Sequence, residues 1–281
     1  MATFVTSDGV QLHYERQGQG RRVFACAGGP ASDYRYLAED LASLTDEFEI
    51  VYHDYRGSGR SKSAPPTTYT LERLVEDLEE LRQHLGDDKV TVLGHSMGGY
   101  VAVSYALRFP ARCERLVLVG TWPTAVPHKM LPPTFRALGW ARTTKMAARA
   151  VWWTVVFSWR RPSPERRRRL YEIWSTLQEG RAPIRAHEVE RERRLGFPLH
   201  NDNIRPLQRE FPSWDVTDRL STITCPVLLL YGERDAAAVA GAHSFKAHIT
   251  DIAVRALPDI GHDPFFEAPT PSCESLRSFL T

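Results

Sequence analysis

The chain has few of the residues and patterns that mark secreted, membrane-spanning or zinc-binding proteins. Four of its 281 residues are cysteines, and they lie far apart at Cys26, Cys113, Cys225 and Cys273. Because this spacing matches neither a disulfide framework nor a metal-ligand motif, we expect free thiols, a reducing compartment and no bound metal. The most apolar stretch, residues 150–157, is far shorter than the roughly 20 residues that a bilayer span requires.

The sequence also lacks a targeting signal and a strong excess of charge. Its first ten residues, MATFVTSDGV, have no basic start followed by an apolar run, so we predict a cytoplasmic protein without a membrane span. The formal net charge is only +2. Basic residues are not interleaved with a recognisable nucleic-acid module and no Walker-type phosphate loop is present, so we expect no nucleic-acid partner and no cofactor.

What the sequence does contain is unevenly distributed. Hydrophobic residues make up 42% and charged residues 25% of the chain, which is the composition of an ordinary folded protein. However, all seven tryptophans lie between positions 122 and 214, and this segment holds 18 of the 36 basic residues but only 8 of the 34 acidic ones. Its formal charge is therefore +10, against −8 for the rest, which indicates an inserted unit.

Outside this segment, short β-rich runs alternate with amphipathic helical runs, which is typical of a parallel sheet with helices on both faces. An opening hairpin is predicted at Asp8-Gly9, because Asp-Gly supplies the backbone of a tight turn. A helix is predicted over 71–85, with Thr70 as its cap and Gly86 at its end. The predicted strands are 4–5, 10–15, 22–25, 49–53, 90–93, 116–119, 227–231 and 252–257, and further helices are predicted up to Arg108 and over 239–249 and 273–280.

The tryptophan-rich segment has no β-rich alternation, and prolines divide it into short pieces. Helices are predicted within it at 134–158 and 165–179. Because the strand and helix pattern resumes afterwards, we interpret 1–121 and 215–281 as one α/β core and 122–214 as a helical cap over that core.

The most informative segment is Gly94-His95-Ser96-Met97-Gly98, which follows a β run and precedes a helical run. Gly-x-Ser-x-Gly in this context is typical of a nucleophile elbow, in which the serine lies on a strained turn and side chains at the glycines would collide with neighbouring backbone. We therefore predict that Ser96 is a nucleophile. The alternatives are a tight turn in another α/β fold, or an inactive relative that has kept the elbow.

A serine nucleophile needs a histidine base, which a carboxylate in turn orients. His262 follows the last predicted strand and should open at the same sheet edge as the elbow, whereas His95 adjoins the serine and is interpreted as shaping the turn. Asp235 comes directly after a buried strand and is the predicted acid. Asp259 and Asp263 are closer to the histidine in sequence, but a short local loop presents a carboxylate poorly to its Nδ1.

Two backbone N–H groups are needed to stabilise the oxyanion of a tetrahedral intermediate. The predicted donors are Met97, at the start of the helix after the elbow, and Gly29, in the loop after strand 22–25. Pro30 has no N–H to contribute. The alternative interpretation of this loop is a plain Gly-Pro turn.

Taken together, these motifs resemble the α/β-hydrolase superfamily with a helical cap, over nearly the whole chain. Several segments are similar to the proline iminopeptidase branch in particular: Gly28-Gly29-Pro30, Tyr36-Leu37, the run DYRGSGRS at 54–61, 232–235 and Gly261-His262. The chain departs from that branch at Ala27, Ala31 and Met97, where His, Gly and Trp are usual. The sequence GHSMGG at 94–99 is more typical of esterases, lactonases and carbon–carbon bond hydrolases.

This resemblance implies an α/β-hydrolase fold with a mostly parallel, eight-stranded sheet, and a serine hydrolase that acts on a small molecule. Tryptophans of the cap favour a bulky apolar substrate, although they also serve to pack a lid onto its base. The candidates for substrate binding are Trp122, Trp152, Trp153 and Trp214.

The expected reaction is cleavage of an ester, thioester, lactone or amide of a hydrophobic small molecule through an acyl-enzyme. A competing hypothesis is an aminopeptidase of the proline iminopeptidase type, which would need acidic cap residues to bind a free ammonium group. Glu188, Glu190 and Glu192 alternate with arginines, however, and are interpreted as a solvated, charge-paired helix. Two further hypotheses stay open: a biosynthetic enzyme that performs cyclisation, elimination or carbon–carbon cleavage, and a ligand-binding relative without catalysis.

Overall fold

One eight-stranded sheet forms the centre of the computed structural model, which describes residues 2–29, 33–125, 129, 144, 190, 191, 194, 195 and 201–281. The strands are β1 (Ala2–Val5), β2 (Gln11–Gln17), β3 (Arg21–Cys26), β4 (Phe48–His53), β5 (Val90–His95), β6 (Cys113–Val119), β7 (Val227–Gly232) and β8 (Ile252–Leu257). They lie in the order β1-β2-β4-β3-β5-β6-β7-β8. β2 is antiparallel to β1 and β4, and the other neighbouring pairs are parallel, which confirms the predicted sheet.

Helices pack on both faces of this sheet. The described α-helices are α1 (Arg35–Asp40), α2 (Leu71–His84), α3 (Met97–Arg108), α4 (Ile204–Glu210), α5 (Ala236–His248), α6 (Pro264–Glu267) and α7 (Pro269–Leu280), and short 3-10 helices lie at Ala42–Leu44, Pro66–Thr68, Phe211–Ser213 and Thr217–Thr222. Successive strand residues point to opposite faces of a sheet. In β7, Leu228 accordingly joins the hydrophobic cluster that contains Leu37 of α1, and Leu229 joins the one that contains Val101 of α3.

The local signals in the sequence act as expected at the first hairpin and at α2. Gly9 adopts a positive φ of 84° between β1 and β2. Thr70 Oγ1 accepts a hydrogen bond from the Arg73 N–H at 3.2 Å and so satisfies one of the free donors at the start of α2. Gly86, with a φ of 75°, follows the end of that helix.

Two features differ from the sequence-based expectation. α7 begins at Pro269 rather than at residue 273, because its two prolines lie in the first turn, where a helix tolerates the missing N–H. α1, α4 and α6 are not predicted from the sequence, since their six, seven and four residues are too few to show a helical repeat.

The two ends of the predicted cap meet at one place on the core. The Ala125 N–H donates to the Trp214 carbonyl at 2.9 Å, and the Val216 N–H donates to the Pro123 carbonyl at 3.0 Å. The chain therefore leaves and re-enters the core side by side, between β6 and β7. Apart from residue 144, the helices predicted at 134–158 and 165–179 lie outside the described residues, so the cap and its boundaries stay a prediction.

Candidate active site

Ser96 lies on the turn between β5 and α3, in a backbone conformation that a side chain rarely adopts. Its φ is 54° and its ψ is −120°. A Cβ at Gly94 would overlap the carbonyl of Gly98, and one at Gly98 would overlap the carbonyl of Cys26. Glycine is therefore required on both sides of Ser96, as the sequence pattern predicts.

The structure brings Ser96, His262 and Asp235 together at the carboxyl edge of the sheet. Ser96 Oγ lies 2.9 Å from Nε2 of His262, and Nδ1 of the same ring lies 2.6 Å from Oδ2 of Asp235. Asp235 follows β7 and His262 follows β8, so the three side chains come from three separate connections. This arrangement can transfer the serine proton to a histidine that is held in one orientation.

Asp235 also caps a helix through the oxygen that does not face His262. Oδ1 accepts hydrogen bonds from the N–H groups of Ala237 and Ala238, at 3.1 and 3.2 Å, and so caps α5. Asp259 and Asp263 do not take its place beside the histidine ring: Asp259 pairs with Arg234 at 2.7 Å, and Asp263 faces His95 at 3.1 Å.

The loop after β3 lies directly against the elbow. A Cβ added to Gly28 would be 3.1 Å from the Cβ of Ser96. The Gly28 N–H already donates to the hydroxyl of Tyr36 at 2.6 Å, which leaves the next N–H, that of Gly29, as this loop's candidate oxyanion donor. Met97 is the first residue of α3, where a backbone N–H has no partner within the helix. Their assignment to an oxyanion hole stays a prediction.

His95 connects the two loops that flank Ser96. Its Nδ1 is 2.8 Å from the Tyr36 hydroxyl, and its Nε2 is 3.0 Å from the carbonyl oxygen of His262. Burial lowers the pKa of His95 and raises that of Tyr36 well above its ordinary value, so both groups are neutral at pH 7. His95 therefore does more than shape the turn, because it also contacts the backbone of the candidate base.

Glu267, a residue that the sequence pattern does not single out, holds the His262 loop from the other side. Its carboxylate accepts hydrogen bonds from the N–H groups of Gly261 and Asp263, at 2.9 and 3.3 Å. Burial raises the pKa of Glu267. No local motif marks this residue, and its position five residues after the histidine is the one signal that the sequence offers.

Two of the four tryptophans predicted to bind substrate can be placed. The Trp122 ring centroid is 6.3 Å from that of His262, at the candidate site. Trp214 instead stacks on the buried ring of Tyr100, with centroids 4.0 Å apart. Trp152 and Trp153 lie outside the described residues. Substrate binding by these tryptophans stays a prediction. Trp122 lies beside the candidate base, whereas the contact described for Trp214 is with Tyr100.

The described residues show neither a metal cluster nor a membrane-spanning helix. Among the described residues, no cluster of three or more His, Cys, Asp or Glu side chains has the arrangement of a metal site. The four cysteines are buried and carry free thiols. None of the described helices combines the length and apolar character that crossing a membrane demands.

A comparison with protein families assigns the chain to a class. The model for the alpha/beta hydrolase fold matches residues 22–269. Since this is most of the sequence, the chain belongs to the α/β-hydrolase family.

Individual relatives show what kinds of hydrolase the chain is similar to. A proline iminopeptidase of Saccharolobus solfataricus is 26% identical over 283 residues, which cover 97% of this chain and 89% of the relative. The proposed carbamate hydrolase RutD of Caulobacter vibrioides is 36% identical over 129 residues, or 45% of this chain, and the match spans 47% of that relative's length, about half. The solved structure of a thermophilic esterase from Thermogutta terrifontis has a TM-score of 0.75 and 26% identity, over 99% of this chain and 96% of the esterase.

Proposed function

We propose that this chain is a serine hydrolase in which Ser96 is the nucleophile, His262 the general base and Asp235 the group that orients the histidine. The observation that carries the proposal is the pair of distances, 2.9 Å from Ser96 Oγ to His262 Nε2 and 2.6 Å from His262 Nδ1 to Asp235 Oδ2. A serine hydroxyl becomes an effective nucleophile when an adjacent base takes its proton.

The reaction would proceed through an acyl-enzyme. Ser96 Oγ attacks the acyl carbon as His262 Nε2 takes its proton, and the leaving group then departs with that proton. A water molecule next gives a proton to His262 while its oxygen attacks the acyl carbon. The acid is released, and the proton on His262 returns to Ser96. The charge of Asp235 stabilises the imidazolium that forms in each half-reaction.

The N–H groups of Gly29 and Met97 would hold the oxyanion of both tetrahedral intermediates. They belong to loops that meet at Ser96, and preorganised donors of this kind supply a large part of the catalysis of acyl transfer. The Tyr36 hydroxyl supports this geometry because it accepts a hydrogen bond from the Gly28 N–H, and this contact fixes the backbone before Gly29.

The substrate class that fits the site is an ester, thioester, lactone or amide of a hydrophobic small molecule. The Trp122 ring, whose centroid is 6.3 Å from that of His262, offers an apolar surface beside the candidate base. The similarity to an esterase over nearly the whole chain also supports this class. Carbamates are further candidate substrates because the chain is similar to a proposed carbamate hydrolase over 129 residues.

Labelling with a fluorophosphonate probe tests the nucleophile without knowledge of the substrate. We expect the wild type to be labelled at Ser96, and Ser96→Ala to abolish both labelling and ester turnover. Ser104→Ala, on the helix that follows the elbow, is the matched control and should label like the wild type. Labelling of Ser96→Ala at the wild-type rate would remove Ser96 as the nucleophile.

A second candidate is aminopeptidase action on short peptides, favoured by the near full-length similarity to a proline iminopeptidase. A panel of proline arylamide, aryl esters of increasing acyl length and an aryl carbamate separates the two functions. We expect aryl esters to have the highest kcat/KM, rising with acyl length as more apolar surface is buried. Efficient turnover of the free-amine proline substrate alone would favour the aminopeptidase instead.

A further inference from the structure

An arginine of the predicted cap is buried against the loop that carries His262. The Arg191 side chain is only 6% exposed. Its Nη1 donates to Oδ1 of Asp40 at 2.7 Å, its Nη2 is 3.7 Å from Oδ2 of Asp263, and its guanidinium lies 3.9 Å from the ring centroid of Phe266. One cation from the cap therefore lies between a carboxylate of α1 and the carboxylate that follows the candidate base.

Asp263 connects this arginine, through His95, to the backbone of His262. Its Oδ1 is 3.1 Å from Nε2 of His95, and the same nitrogen is 3.0 Å from the His262 carbonyl oxygen. The Tyr36 hydroxyl accepts the Gly28 N–H, so its own proton is donated to Nδ1 of His95. The proton of the neutral imidazole is therefore on Nε2, where it faces both oxygens.

Removing the arginine would leave its two partners in an unfavourable state. Asp40 and Asp263 are 6% and 15% exposed, so neither carboxylate is well solvated. A buried carboxylate that loses its counter-charge takes up a proton or moves toward water. Movement of Asp263 displaces the neighbouring His262, and a misplacement of about 1 Å at a catalytic group can cost about a hundredfold in rate.

We propose that Arg191 is a positioning residue for His262: by donating a hydrogen bond to Asp40 and compensating the charge of Asp263, it lets Asp263 and His95 hold the histidine backbone so that Nε2 faces Ser96. The inference rests on the proposed serine hydrolase function and assigns a role in that site to the cap. Arg191 acts through Asp263 and does not itself touch the reacting atoms.

The test measures the second-order rate constant for inactivation by a fluorophosphonate probe, which depends on Ser96 and His262 and needs no known substrate. We expect Arg191→Met to lower this rate about ten- to a hundredfold. Arg191→Lys, which keeps the charge, should recover part of the loss. The matched control is Arg194→Gln in the same segment: Arg194 pairs with Glu39 but is 60% exposed, so its rate should stay within about twofold of the wild type.

A double-mutant comparison identifies the route. If Arg191 acts through Asp263, the loss caused by Arg191→Met should shrink in an Asp263→Asn background, where no charge remains to be compensated at that position. Effects that multiply, with the same fold-loss in both backgrounds, would overturn this route. Circular dichroism at the assay temperature checks that each variant is folded.

The remaining outcomes separate this inference from the proposed function. Labelling of the wild type that does not depend on Ser96 would overturn both together. In an enzyme that is labelled at Ser96, equal rates for Arg191→Met and Arg194→Gln would overturn the role of Arg191 alone. If Arg191→Met does not fold, Arg191→Lys decides in its place, and a rate equal to that of Arg194→Gln contradicts the proposal.

Discussion

Ser96 shows how much local strain the fold accepts at one residue. Among the described non-glycine residues, only Ser96 and Asp259 have a positive φ. Such a conformation costs on the order of 1–3 kcal/mol and persists where its surroundings fix it, and here the close packing of Gly94 and Gly98 does so. The strain holds the hydroxyl against the His262 ring, which is the placement that a nucleophile requires.

Asp235 allows its two roles to be separated by substitution. One oxygen faces His262 and the other caps α5. Asn at this position can keep the cap but presents an amide to the ring, which favours the wrong histidine tautomer. We therefore expect Asp235→Asn to lower kcat/KM for an aryl ester by about 10³- to 10⁴-fold. Its free energy of unfolding should stay close to that of the wild type, because Asn is as good a cap as Asp.

Asp235→Ala is the matched comparison because it removes both roles. It should lose activity to a similar extent and, in denaturant titrations, should also lose about 1 kcal/mol of stability with the cap. Activity of Asp235→Asn within tenfold of the wild type would show that this carboxylate does not orient the base.

At the scale of elements, β6 determines whether the histidine loop can reach the serine. β6 lies between β5, which leads to Ser96, and β7, which leads to Asp235. The residue after β6 is Gly120, with a φ of 53°, and a Cβ there would be 2.8 Å from the His262 carbonyl oxygen. Without a side chain at this position, the loop after β8 can pass over the end of β6 and bring His262 to the elbow.

The sheet and its principal helices could be predicted from sequence because most strands contain a short β-rich run and α2 has a clear helical repeat and cap. The three candidate catalytic side chains could be predicted too, since Ser96 lies in a recognisable turn, Asp235 comes soon after a predicted strand and His262 lies in the loop after the last one. Parallel strands carry their carboxyl ends to one edge, so residues in those places meet there.

The supporting contacts could not be predicted in the same way. His95 contacts Tyr36 and the His262 backbone, which are 59 and 167 residues away in the chain. Arg191 donates a hydrogen bond to Asp40, which is 151 residues away in the chain. Asp40 lies on α1, a helix too short to be predicted from the sequence. Such partners follow from tertiary packing, and no local periodicity or motif encodes them.

For the whole molecule, two buried titratable side chains, Asp40 and His53, make the free energy of unfolding depend on pH. Burial raises the pKa of Asp40 to about 7. The positive charge of Arg191 lowers this pKa, whereas the negative charges of Asp263 and Glu39 raise it further. Burial lowers the pKa of His53 to about 4. The two residues oppose each other: between about pH 4 and 6.5 the folded state holds an extra proton at Asp40, whereas the unfolded state holds an extra proton at His53.

Asp40→Asn isolates the first contribution, because His53 is common to both proteins. With its pKa raised in the folded state, Asp40 stabilises the fold fully below its ordinary pKa near 4, and this stabilisation is lost as the pH rises through about 7. The free energy of unfolding of Asp40→Asn minus that of the wild type should therefore rise between pH 4 and 7, by at most about 1.4 kcal/mol per pH unit, and level off above pH 8. Urea titrations at several pH values measure this difference, and curves that stay parallel from pH 4 to 8 would show that Asp40 titrates alike in both states. A rising difference would mean that ionisation of Asp40 is less favourable in the folded protein than in the unfolded chain, even with Arg191 beside it.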